Sequence, residues 1–232
     1  MKIRTKSLYK SFIINNKKIN IINNLNFQAE DGITIILGKS GCGKTTLLRI
    51  LAGLEVADSG DVIIENNNKV SIVFQEARLM PWLNVFQNIH FGHKNIDNEK
   101  IQNLIEITSL KGFEKAYPNQ LSIGMMQRVA IARALYNDVD IILMDEPFAS
   151  LDYFNREILQ RETINIYLKN KKSIIFVTHS IDEALLLGHK IIILEKGEIK
   201  KEYLIEKDIE NRDILTEYFI ELKKDILKQI KN

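Results

Sequence analysis

The chain has 232 residues, enough for one large domain or one domain with an inserted subdomain. Its 32 basic and 30 acidic residues leave a formal charge of +2, which argues against a general nucleic-acid binder. Cys42 is the single cysteine, so an intrachain disulfide is excluded, and no run approaches the ~20 apolar residues of a membrane span. The opening residues Met1-Lys2-Ile3-Arg4 lack the apolar core of a signal peptide, so any membrane association is expected to run through a partner.

Residues 2–10 and 19–27 read as strands joined by a turn at Asn15-Asn16-Lys17-Lys18, with Phe12 at the end of the first strand. Asp31-Gly32 then turns into Ile33-Thr34-Ile35-Ile36-Leu37, an apolar run that reads as a buried strand. The next nine residues, Gly38-Lys39-Ser40-Gly41-Cys42-Gly43-Lys44-Thr45-Thr46, fit the phosphate-loop pattern G-x-x-x-x-G-K-[ST]. Leu47, Leu48, Ile50, Leu51 and Leu54 follow at helical spacing. The glycines therefore lie between a strand and a helix N-terminus, where backbone N–H groups can turn inward onto a polyphosphate. In that setting Lys44 can reach the β- and γ-phosphates, and the Thr45 hydroxyl can join a Mg²⁺ shell. Cys42 is read as a variable loop position with no catalytic role.

Beyond a turn at Asp58-Ser59-Gly60, residues 61–64 and 70–74 read as strands, the second ending at Gln75. From about 77 to 137 the pattern becomes mainly helical, with candidates at 85–91 and 99–107 and a helix opened by Ser122; this stretch is expected to be an inserted subdomain. Strand 141–144, helix 154–168, strand 173–177, helix 181–187 and strand 190–194 follow, then a hairpin at Gly197 into 198–203. The tail, about 208–232, is charged and expected to be helical. Strand–helix alternation of this kind points to an α/β fold with a mostly parallel sheet.

Strand 141–144 ends in Asp145-Glu146-Pro147. A carboxylate at the tip of a parallel strand faces the ligand crevice, so Asp145 is placed to approach a metal opposite Thr45, and Glu146 to polarise a water in line with a γ-phosphate. The run Leu121-Ser122-Ile123-Gly124-Met125-Met126-Gln127-Arg128 offers a second anion site: the Ser122 hydroxyl, the Gly124 N–H and the helix dipole.

That last run resembles the signature of the ABC family, usually LSGGQ-x-x-R or LSGGM-x-QR. Phosphate loop, signature and Asp-Glu strand, in this order, look like the ATP-binding subunit of an ABC transporter. The resemblance implies a P-loop ABC ATPase fold with an N-terminal antiparallel β-layer and the inserted helical subdomain. It implies that Ser122 and Gly124 contact the γ-phosphate of ATP held by a second copy, so that a homodimer clamps two ATP molecules. Ile123 departs from the pattern, standing where the first signature glycine usually lies. The resemblance further gives Gln75 a place near Mg²⁺ or the attacking water, and Ser150-Leu151-Asp152 a loop that crosses the dimer interface. It gives His179 a hold on the γ-phosphate and Phe12, with Tyr9 as rival, the stacking on adenine. Glu146 is the implied base, and Lys44 and the loop amides stabilise the developing charge.

Gln75-Glu76-Ala77-Arg78-Leu79-Met80-Pro81-Trp82-Leu83-Asn84-Val85 and Asp145-Glu146-Pro147-Phe148-Ala149-Ser150-Leu151-Asp152 are similar to segments of the importers for nitrate, sulfonates and taurine. The function this implies is that of an ATP-hydrolysing subunit energising small-solute import. A separate permease would hold it at the cytoplasmic membrane face, with a solute-binding protein acting indirectly. Trp82 would then dock the permease. The alternative, a soluble ABC ATPase of DNA repair or translation, lacks its usual coiled coils, zinc cysteines or second cassette here. With the sequence ending near residue 230, no added regulatory domain like that of the sugar-importer ATPases is expected.

Overall fold

The computed structural model describes residues 2–231, the Asn170 side chain excepted. Met1 and Asn232, at the limits of ranges expected above, lie outside the described residues. The chain opens with β1 (Ile3–Ile14), β2 (Lys17–Leu25), β3 (Gln28–Ala29) and β4 (Ile33–Leu37), and α1 (Lys44–Leu51) follows the phosphate loop. Next come β5 (Ser59–Ile64), β6 (Val70–Val73), α2 (Val85–Ile89), α3 (Asn98–Ile107), α4 (Ile123–Tyr136) and β7 (Ile141–Asp145). The last third is α5 (Tyr153–Asn170), β8 (Ser173–Thr178), α6 (Ile181–Leu187), β9 (Lys190–Glu195), β10 (Glu198–Leu204) and α7 (Glu217–Lys231).

Two sheets form. One runs in the order β10-β9-β4-β8-β7-β6, parallel throughout except for β10 at its edge. The other is antiparallel, with β1 paired to β2, β3 and β5. The parallel strands are predominantly apolar, as strands covered on both faces are. Successive side chains enter different cores, as the two-residue period requires. Ile35, Met144 and Phe176 pack with α2 to α6, whereas Ile36, Leu143 and Val177 pack with α1 and the antiparallel layer. The tips of β4, β8 and β7 are therefore neighbours, which brings the phosphate loop, His179 and Asp145-Glu146 to one sheet edge.

Some expected boundaries move. β1 continues to Ile14, so Phe12 lies inside a strand, opposite Ile19. The turn is only Asn15-Asn16, both with positive φ (50° and 59°), the geometry that a two-residue hairpin demands and Asn tolerates. Leu54 is not part of α1, which stops at Leu51; it is exposed. Nor is the whole tail helical: α7 starts at Glu217. Residues before it are held in turns by the buried Arg212 guanidinium, which donates to the carbonyls of Leu185, Gly188 and Lys207. The Asp213 carboxylate accepts from Leu215 N and starts the chain into α7.

Candidate functional site

The phosphate loop is squeezed between β2 and β9. At Gly43, the N-cap of α1, φ is +106° and a Cβ would sit 2.8 Å from the Ile21 carbonyl oxygen. At Gly38 a Cβ would meet the Leu194 carbonyl oxygen at 2.4 Å. Neither position admits another residue without moving a neighbouring strand. Lys44 is buried and spans the loop, its Nζ donating to Gly38 O (2.8 Å) and Lys39 O (3.0 Å). The same Nζ is 3.7 Å from Glu146 Oε1. A cavity of about 270 Å³ opens here, lined by residues 40–41 and 43–46 together with Phe12, Ile21 and Glu146. Phe12, and not Tyr9, lines this cavity, with Lys10 Nζ 4.9 Å over its ring. Cys42 is half-buried, and burial pushes its thiol up, so the thiol stays protonated.

Across the cavity Thr45 Oγ1 donates to Asp145 Oδ1 at 3.0 Å. Burial pushes the Asp145 carboxyl up, and the Thr45 hydrogen bond opposes the shift. Among the described residues no three His, Cys, Asp or Glu side chains gather into a self-sufficient metal cluster. Two oxygen donors on one side of a phosphate loop suit Mg²⁺, which commonly takes its other ligands from phosphates and water.

Glu146 follows β7 in an unusual backbone conformation, φ +44°, with its N–H donating to Val177 O at 3.0 Å. Non-glycine residues are held in that region only where the surroundings fix them, as the neighbouring strand β8 does here. Glu146 Oε2 lies 2.9 Å from Nδ1 of His179, which follows the tip of β8 and is exposed.

The remaining expected residues lie elsewhere. Ser122 caps α4, accepting from Met125 N at 3.2 Å. Ile123 is the first helical residue, half-exposed and without positive φ, and Gly124 is buried against Leu151 and Asn155. Gln75 is exposed and lines a separate apolar recess of about 450 Å³ with Leu79, Ile123, Met126 and Ser150.

Three side chains were not singled out by the sequence pattern. Gln127 donates to Gln75 O and, at 3.3 Å, to Phe74 O, while Arg133 donates to Ala77 O and Arg78 O; both reach from α4 to the strand-end segment. Asn88, fully buried on α2, accepts from Met80 N (2.8 Å) and donates to the carbonyls of Met80, Leu83 and Asn84. That clasp presents Trp82 at the surface, 68% exposed. The only sequence signal for any of them is a polar residue on an otherwise apolar helix face.

A model of the ABC transporter family matches residues 22–149, more than half of the chain. The chain belongs to the ABC transporter family. An ABC transporter ATP-binding protein of Methanocaldococcus jannaschii is 42% identical over all of this chain and 92% of its own length. The aliphatic sulfonates import ATP-binding protein SsuB of Bacillus cereus is 40% identical, covering 99% of this chain and 96% of its own. Among solved structures, a dimeric ATP-binding cassette in a post-hydrolysis state with ADP and Pi superposes with a TM-score of 0.78 at 29% identity, over 89% of this chain and 100% of that one. This chain is accordingly an ABC ATPase, with the cassette fold.

Proposed function

We propose that the chain is the ATPase subunit of an importer for a small solute of the sulfonate, taurine or nitrate class, working through a separate membrane permease. The convergence of Lys44, the Thr45–Asp145 pair and the Glu146–His179 pair on one sheet edge carries the hydrolytic part of this reading. The 40% identity to SsuB over nearly the full chain supports the cargo class. The exposure of both Pro81 and Trp82, on a protein in which no helix is long and apolar enough to cross a membrane among the described residues, supports docking to a permease.

In this reading the chain is one nucleotide-binding domain, with residues 77–137 as its helical subdomain and 208–232 as its tail. Phe12 stacks on adenine, the amides of 38–46 and Lys44 cradle the phosphates, and Thr45 and Asp145 hold Mg²⁺, which supplies charge neutralisation at the phosphates. Gln75 is proposed to reach the metal or the water only once the lobes close. Glu146 accepts the proton of the attacking water, and His179 orients Glu146 and the γ-phosphate. Ser122 and Gly124, remote from the chain's own cavity, act on ATP held by a second copy. Such a homodimer sits on the cytoplasmic membrane face, a solute-binding protein delivering cargo to the permease.

Reconstitution with a partner permease and its solute-binding protein tests the cargo. ATP turnover should rise when the binding protein carries an alkanesulfonate, taurine or nitrate, and stay basal with a sugar or amino acid. Stimulation by none of the three solutes would overturn the cargo class.

A further inference from the structure

Glu183 is a carboxylate 6% exposed that no step of the proposed hydrolysis uses. Burying a charge is costly unless partners hold it. Its Oε2 accepts from the Thr178 hydroxyl at 2.5 Å, and its Oε1 faces Arg156 Nε at 3.8 Å. Thr178 Oγ1 in turn accepts from Ser180 N (3.0 Å), and Ser180 Oγ accepts from Glu183 N (3.3 Å). Residues 178, 180 and 183 thus close a ring of hydrogen bonds around the turn that carries His179. The His179 side chain is itself 63% exposed, so its direction is set by that turn and by Glu146. On the far side, Arg156 Nη2 donates to Leu151 O at 3.2 Å. Arg156 Nε is buried without a hydrogen-bond partner. A cavity of about 20 Å³, room for one water, lies between Glu146, Arg156, His179 and Glu183.

We propose that Glu183 is the positioning residue of His179, and that Arg156 ties this position to the backbone of Leu151, in the loop ahead of α5. The assignment rests on the reading of Glu146 and His179 as the hydrolytic pair. Glu183 touches no phosphate. It acts by fixing Thr178, and through it the imidazole that orients Glu146. Burial raises the Glu183 carboxyl, against the pull of the Thr178 hydroxyl and the Arg156 guanidinium that hold its charged form. The Arg156 contact is roughly 1 Å longer than a charge-assisted hydrogen bond, so it has travel left to tighten when the Leu151 loop moves.

Steady-state ATP hydrolysis by the full chain, with melting temperature measured in parallel, tests this. Glu183→Ala should lower kcat at least ~10-fold while KM for ATP stays within about twofold. Glu183→Gln keeps a carbonyl acceptor for Thr178 and should recover more than about half of the lost rate. Thr178→Val should match Glu183→Ala, and the double variant should fall no further, because both remove the same contact. A Glu183→Ala kcat within about twofold of wild type overturns the proposal. So do Ala and Gln variants equally slow with a matching loss of melting temperature. Should Glu183→Ala not fold, Thr178→Val against Thr178→Ser decides by the same criteria. Glu146→Gln, run alongside, separates the two readings. A slow Glu146→Gln beside an active Glu183→Ala removes only the positioning role, whereas a fully active Glu146→Gln removes the hydrolytic pair itself.

Discussion

Nδ1 of His179 lies 2.9 Å from Oε2 of Glu146, and the other oxygen of the same carboxylate lies 3.7 Å from Lys44 Nζ. Lys44, at the start of α1, and His179, just beyond the tip of β8, therefore share the one carboxylate of Glu146 at the mouth of the phosphate cavity. Glu146→Gln keeps the shape and the hydrogen bonds but cannot take a proton. Turnover should fall at least ~10²-fold while ATP still binds, and the ATP-bound dimer should accumulate on a sizing column. Turnover at the wild-type rate would take the role of base away from Glu146.

Trp82 is a surface residue and not part of the core. Trp82→Ala should leave melting temperature and basal hydrolysis close to wild type, a change within about 0.5 kcal/mol being usual at exposed positions. Co-purification with the permease should weaken. A variant that loses several degrees of melting temperature and assembles normally would contradict the docking role.

Ile123 takes the first helical position of α4, with its side chain half-exposed in the recess it shares with Gln75, Leu79 and Met126. Ile123→Gly should therefore change ATP turnover only modestly, within about threefold, since it removes apolar surface and adds no contact to phosphate. Gly124 is different. It is buried against Leu151 and Asn155, so Gly124→Asp meets side chains and brings a carboxylate toward the anion that the α4 N-terminus is proposed to hold. Its turnover should drop by more than ~10²-fold. A Gly124→Asp variant as active as Ile123→Gly would show that this helix end meets no phosphate.

Much of this site was legible in the residues. β4 and α6 occupy the residues read for them, because each is bounded by turn or capping residues: Gly32 and Gly38 for the apolar strand, Ser180 for the helix, whose first turn carries Asp182 and Glu183. Asp145 and Glu146 could be placed because an apolar parallel strand ends at a known edge. Phe12 was misplaced within its strand because the hairpin runs out into solvent, where Ile13 and Ile14 are exposed and no burial pattern marks the strand's end. The start of α7 depends on Arg212 reaching carbonyls more than twenty residues away in sequence, and the grips of Gln127 and Arg133 span more than fifty. Periodicity sees neighbours on one element, and such contacts are not among them.

Acid should expose a separate weakness at His189. Its Nδ1 accepts from Ile33 N at 3.1 Å, and its ring packs on Tyr167. Burial pushes its pKa down, with the Arg212 and Lys171 charges adding to the shift and Asp208 opposing it. The unfolded chain then binds the proton more readily than the folded one, so this residue's contribution to stability is present at pH 8 and is lost as pH falls through the ordinary imidazole range near 6.5. The difference in melting temperature between wild type and His189→Gln should shrink on going from pH 8 to pH 5.5, by about 3 °C for each pH unit over which the buried ring resists protonation. A difference that is constant or grows in acid would show that the ring is charged in the folded protein.

Asn88 makes the segment carrying Trp82 stiff. A loop whose carbonyls and amide are already tied to a helix has little freedom to lose when another protein settles on it. Stiffness also governs how movement passes through the chain. α2 packs on α4, and α4 is 14 residues of continuous helix, about 21 Å, with Ser122 and Gly124 at one end. Trp82 and that helix end would then be the two arms of one lever: a displacement imposed at the loop would pass through the α2–α4 contact to the end of α4 that is proposed to hold an anion.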